Sequence, residues 1–134
     1  MILPSSSPAA LRQGRLEQLR RHWVAALPLR ATYPAIQQLR LELQFEGATR
    51  NLPAAQAHVL HPPARAFFEF PCPHADCDGE FDLTACVSAA LEKRVGKAAG
   101  GLTCSGQRPD RRGSRCACEL HLNYALTVIY QRTD

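Results

Sequence analysis

Six cysteines, at positions 72, 77, 86, 104, 116 and 118, constrain this 134-residue chain more than any other feature. Five of them form the pattern C-x4-C, then 26 residues, then C-x11-C-x-C. Cys72 and Cys77 flank "PHAD" directly after an apolar run, with Pro71, Pro73 and Gly79 framing a tight reversal. Cys104 precedes Ser105-Gly106, and Cys116 and Cys118 open the last apolar stretch beyond an arginine-rich loop. Thiols supplied as two pairs from two chain reversals suit a tetrahedral ion of soft-ligand preference, and zinc above all. Three readings stay open on the residues alone: a structural zinc site, reduced structural thiols without metal, and disulfide or redox chemistry.

Compartment bears on that choice. No run approaches the ~20 apolar residues needed to cross a bilayer. The opening "MILPSSSPAALRQGR" has neither a basic n-region nor an apolar core of secretory length. A cytoplasmic, non-membrane protein is therefore expected, where cysteines serve metal binding or core packing more often than disulfides. Arginine outnumbers lysine 14 to 2, which points to a GC-rich, bacterial genome.

Strict alternation over Leu39, Leu41, Leu43 and Phe45 predicts a half-buried antiparallel strand. "RAFFEF" reads as a second strand ended by Pro71, "GLTC" as a short third, and "CACELHLNYALTVIY" as a long fourth. In the last, Cys118, Leu120, Leu122, Tyr124, Leu126, Val128 and Tyr130 share one face, and Cys116 falls on that face by parity. Ser7 and Pro8 signal a helix start. Leu16, Leu19, Trp23 and Leu27 give that helix an apolar stripe, Gly14 weakens its first turns, and Pro28 stops it. Residues 82–98 read as a second helix, capped by Asp82 or Thr84 and broken by Gly96, Gly100 and Gly101. The proline-punctuated stretch before it predicts a loop with a helical turn around Ala54–Val59. The fold expected is α+β: an antiparallel sheet of about four strands with one or two helices and a metal knuckle. Residues 1–30 form an amphipathic basic helix and residues 31–134 a single α+β domain.

Two hairpins each lending a cysteine pair to one metal resemble a zinc ribbon, over residues 66–130, with "CPHADCDG" as first knuckle. The first spacing here is x4, a long loop splits the second pair, and a helix lies between the halves. The resemblance implies one structural Zn2+ per chain. Cys72, Cys77 and Cys104 are candidate ligands. Cys118 is favoured as the fourth over Cys116, because related sites place a single cysteine at its distance from the following aromatic. Cys86, inside the second helix, reads as a core thiol.

His74 lies within the first knuckle as an alternative ligand, and more simply as a solvent-facing residue whose charge is set by nearby acids. Asp76, Asp78, Glu80 and Asp82 fail the calcium-loop pattern, since glycine comes at the fourth position and not the sixth. They read as a solvated acidic turn that neutralises the basic loop opposite. No H-E-x-x-H, phosphate loop or zinc-deaminase signature is present. Four cysteines would close a zinc site, leaving no open position for water or substrate, so no enzymatic activity and no small-molecule substrate are expected.

Net charge is +4, distributed as +4 over residues 1–30, −4 over 31–91, +5 over 92–115 and −1 over 116–134. Arg108, Arg111, Arg112 and Arg115 sit in the loop spanning 105–115, which suits phosphate contact but carries no aromatic for base stacking. The functional expectation is a non-catalytic, zinc-stabilised module that binds a protein partner. Nucleic-acid binding through the arginine loop is the alternative, and a thiol redox enzyme ranks last.

Overall fold

The computed structural model describes residues 7–46 and 55–132. The main sheet has four antiparallel strands in the order β2-β1-β8-β5: β1 Ile36–Glu46, β2 Ala55–Leu60, β5 Lys97–Thr103 and β8 His121–Tyr130. Two short hairpins project from it, β3 Glu69–Pro71 with β4 Glu80–Asp82, and β6 Gln107–Pro109 with β7 Arg115–Ala117. The helices among the described residues are α1 Pro8–Ala25, α2 Leu29–Thr32 and α3 Thr84–Glu92. This is the α+β architecture the sequence predicts.

One face of the sheet makes the core. The register sets Leu39 beside Val128, Leu41 beside Leu126 and Phe45 beside Leu122, and all six side chains are buried. Phe81 of β4 tilts against Phe45, with ring centroids 5.7 Å apart. Phe68, Leu83, Val87 and Leu91 complete the same cluster, which also contains Cys72, Cys77, Cys104 and Cys118. The cysteines are thus an extension of the hydrophobic core rather than a surface appendage. Arg40, Glu42 and Gln44 on the opposite face of β1 stay exposed, as expected for a sheet covered on one side.

Several expectations need correction. The helical turn around Ala54–Val59 is instead strand β2, paired with β1 from Leu39↔Leu60 to Gln44↔Ala55. Its inward positions carry Gln56, His58 and Leu60, too polar to announce a strand, and pairing with the long β1 overrides weak local preference. The His58 ring lies against Phe70, 4.8 Å between centroids. The last strand is interrupted: β7 ends at Ala117 and β8 begins at His121, so Cys116 and Cys118 do not share a face. The second helix stops at Glu92, before the glycines. Arg94 supplies the left-handed C-terminal residue with φ of 54°, and Val95 N–H donates to Ala90 O at 3.1 Å.

Helix α1 is capped by Ser7, whose Oγ accepts from Ala10 N–H at 3.1 Å, and runs through Gly14 without a break. Its buried face is not the apolar stripe. Leu19 is buried, but Trp23 is 47% exposed and Leu27 62%. Arg12 and Arg15, seven and four residues before Leu19, share its side of the helix and reach the first knuckle.

Candidate metal centre

The β3–β4 hairpin makes the first knuckle. Cys72 N–H donates to Gly79 O at 3.0 Å and Cys77 N–H to His74 O at 3.2 Å, which folds "CPHADCDG" into a reversal with both thiols inward. The second knuckle is the base of the β6–β7 excursion. Cys104 N–H donates to Leu120 O and Cys118 N–H to Gly106 O, both at 2.9 Å. Between these paired bases the chain runs out through the arginine loop and back.

All six cysteines are free thiols, and Cys72, Cys77, Cys104 and Cys118 are buried. The four Sγ atoms lie within 4.8 Å of one another and can hold a metal ion. Cys72 and Cys118 Sγ are 3.9 Å apart, and Cys77 and Cys104 Sγ 3.5 Å. A tetrahedron with zinc–sulfur bonds of ~2.3 Å has an edge of about 3.8 Å, so the residues present fit a four-thiolate ion. Disulfide sulfurs would lie at about 2.05 Å.

Cys77 and Cys104 each receive a backbone N–H from the residue two positions on, and the N–H groups of His74 and Leu120 lower the pKa of Cys72 and Cys118 in the same sense. Gly79 donates to Cys77 at 3.3 Å and Gly106 to Cys104 at 3.4 Å. Such dipoles favour the thiolate form. Against them stand burial and mutual repulsion. Cys72 is pushed up by giving its hydrogen to Cys104 and by burial. Burial raises Cys77 to about 12 and also raises Cys118. Cys104 is lowered to about 6, chiefly by the hydrogen bond from Cys72. Without an ion, burial therefore keeps most of these thiols protonated, and a cation is needed to hold four thiolates.

Cys116 stands apart. It is exposed on β7, opposite Arg108, and its Sγ donates to Arg108 O at 3.3 Å. Cys86 is half-buried rather than fully enclosed.

His74 corrects the expectation of a solvent-facing residue: it is 4% exposed. Its Nε2 lies 3.4 Å from Arg108 Nη1. Burial first, then the Arg108 charge, lowers its pKa, so desolvation and a cation set its charge more than the neighbouring acids do. Of the four acids, Asp76 and Asp78 pair with the basic loop, whereas the half-buried Glu80 pairs with Arg15 of α1. Arg108 Nε donates to Asp76 Oδ1 at 2.7 Å, and Arg115 Nη2 to Asp78 Oδ2 at 2.7 Å. Asp78 Oδ1 accepts Gln107 N–H at 2.8 Å, and Asp82 Oδ1 accepts Thr84 N–H at 2.9 Å. Arg111 and Arg112 remain exposed at the hairpin tip, where Asp110 Oδ1 accepts the N–H groups of Arg112 and Ser114.

Sequence reasoning missed the clamp over the first knuckle. Arg12 Nη1 donates to the carbonyl oxygens of Cys72 (2.6 Å), His74 (2.9 Å) and Cys77 (3.4 Å). Arg15 Nε donates to Asp78 O at 3.0 Å, and its Nη1 lies 3.3 Å from Glu80 Oε1. The available signal was the spacing of Arg12, Arg15 and Leu19 along one helix face. Comparison with protein families, curated proteins and solved structures finds no match.

Proposed function

We propose that Cys72, Cys77, Cys104 and Cys118 bind one Zn2+ and that the protein is a zinc-stabilised, non-catalytic module that binds another protein. The observation that carries this reading is the buried four-sulfur cluster, with the N–H groups of Gly79 and Gly106 donated to Cys77 and Cys104. Soft ligands in a tetrahedron suit zinc. The ion would supply folding free energy by fixing both hairpin bases. Four thiolates and one Zn2+ carry a formal charge of −2, and the Arg12 guanidinium, seated on the knuckle carbonyls, offsets part of it. A closed site leaves no coordination position for water or substrate, which supports a structural and not a catalytic ion. Burial of the four thiols argues against thiol redox work, which needs an accessible thiolate. Metal analysis of the purified chain, with chelation followed by circular dichroism, tests the reading: one zinc per chain and loss of structure on chelation are expected.

A second reading has one observation in its favour, the exposure of Arg111 and Arg112 at the β6–β7 tip. Nucleic-acid phosphates would bind there without Arg108 and Arg115, which are engaged by Asp76 and Asp78. Such binding must weaken steeply with salt and on Arg111→Glu with Arg112→Glu; unchanged binding after the double substitution removes it.

A further inference from the structure

Strand β5 ends the main sheet, and among the described residues no strand pairs with its far side. Its register with β8 runs unbroken from Lys97↔Thr127 to Thr103↔His121. At its two ends Val128 N–H donates to Gly96 O and Cys104 N–H to Leu120 O. In an antiparallel ladder bonded pairs alternate, so Ala98, Gly100 and Leu102 turn their backbone groups toward β8. The N–H and C=O groups of Lys97, Ala99, Gly101 and Thr103 face outward, and all four residues are exposed.

Natural sheets usually blunt such an edge with inward charges, proline or a bulge. β5 reads KAAGGLT, with one charge at its first position and no proline. Its glycines are held down from behind. A Cβ on Gly100 would come within 2.7 Å of Tyr124 Oη, and one on Gly101 within 2.7 Å of His121 Nε2. The Tyr124 and His121 side chains thus lie over the two glycines, and glycine leaves the edge bare.

The edge is self-complementary. Two copies of β5 laid antiparallel about Gly100 set Lys97 against Thr103, Ala98 against Leu102 and Ala99 against Gly101. The outward residues then meet as four bonded pairs with two hydrogen bonds each, about eight bonds that use every free backbone group of the strand. No like charges meet, because Lys97 faces Thr103 and not itself. The half-buried Ala98 and Leu102 cover each other across the axis. We propose that β5 joins a second copy of this chain, making one continuous eight-stranded sheet with a two-fold axis at Gly100. This deepens the protein-binding reading above, on which it rests, by giving it a surface and a partner.

The test is sedimentation velocity of the zinc-loaded full chain from low micromolar to near-millimolar concentration. A monomer–dimer equilibrium is expected. Thr103→Lys would set lysine against Lys97 at two symmetric places and weaken the dimer roughly fivefold, while Thr103→Glu would strengthen it by a similar factor. Adding Lys97→Glu to Thr103→Lys should restore it. Zinc content, measured on each variant, must stay at the wild-type value. A monomer at every concentration overturns the inference, whether another protein or none occupies the edge, and leaves the metal reading standing. A dimer indifferent to the charge at residue 103 also overturns it, since another surface then joins the copies. A folded chain without metal would instead sink the zinc reading.

Discussion

Gly79 and Gly106 meet backbone to backbone across the cysteine cluster. A Cβ on Gly79 would come within 2.6 Å of Gly106 N and collide with Cys104 Sγ; one on Gly106 would collide with the Gly79 backbone. The two residues are also the N–H donors to Cys77 and Cys104. The repeated C-x-G of the two knuckles is therefore one contact seen from both sides. Gly79→Ala and Gly106→Ala should each cost at least about 2 kcal/mol through overpacking and lower metal affinity together with stability. Denaturant titration and chelator competition check this; wild-type values for both variants would refute the close approach.

Arg12 ties helix α1 to the first knuckle through three carbonyl oxygens. Arg12→Ala should cost about 2 kcal/mol, the usual scale for losing a charged donor to part-buried acceptors, and should speed hydrogen exchange in α1. Metal should stay bound, because no ligand changes. Arg12→Lys should recover only part of the loss, since one ammonium lacks the planar fork.

Metal uptake should release protons. Cys72, Cys77 and Cys118 are held above the ordinary thiol value and Cys104 is lowered to about 6. At neutral pH three of the four thiols thus carry protons that the ion must expel, so affinity should climb steeply with pH. The sign differs within the set. Stability from the Cys104 thiolate is complete above the ordinary thiol value and lost as pH falls through about 6. Stability from protonated Cys77 is complete below the ordinary value and lost as pH rises toward about 12. Calorimetry in buffers of different ionisation enthalpy counts the protons; about three per ion is expected at neutral pH, and none would contradict the burial of neutral thiols.

Cys116→Ser should leave metal content unchanged and Cys118→Ser should abolish it. Only Cys118 has its Sγ in the four-sulfur group, while the exposed Cys116 Sγ turns to Arg108 O. Elemental analysis of the two single variants separates them, and the reverse pattern would move the fourth ligand to β7.

Strand β1, strand β8 and the pairing of knuckles were legible because each rests on a local periodicity or spacing: alternating leucines, or thiols beside turn residues. Strand β2 was hidden because its inward positions are polar and its formation depends on a partner far along the chain. The face of α1 was misread because its long-range partners are carbonyl oxygens. These attract Arg12 and Arg15, while Trp23 is left half-exposed under the Arg65 guanidinium, 4.5 Å from its ring. The separation of Cys116 from Cys118 was also invisible to parity, since residues 118–120 leave the strand to bond with the other side of the knuckle. His74 followed the same rule: the buried ring meets Arg108, a residue 34 positions away.

The most direct measurement is the metal content of the purified chain, taken with its circular dichroism before and after chelation. One zinc per chain, with structure lost on chelation and regained on adding zinc, is the predicted result. A chain that is fully folded and carries no metal would contradict it.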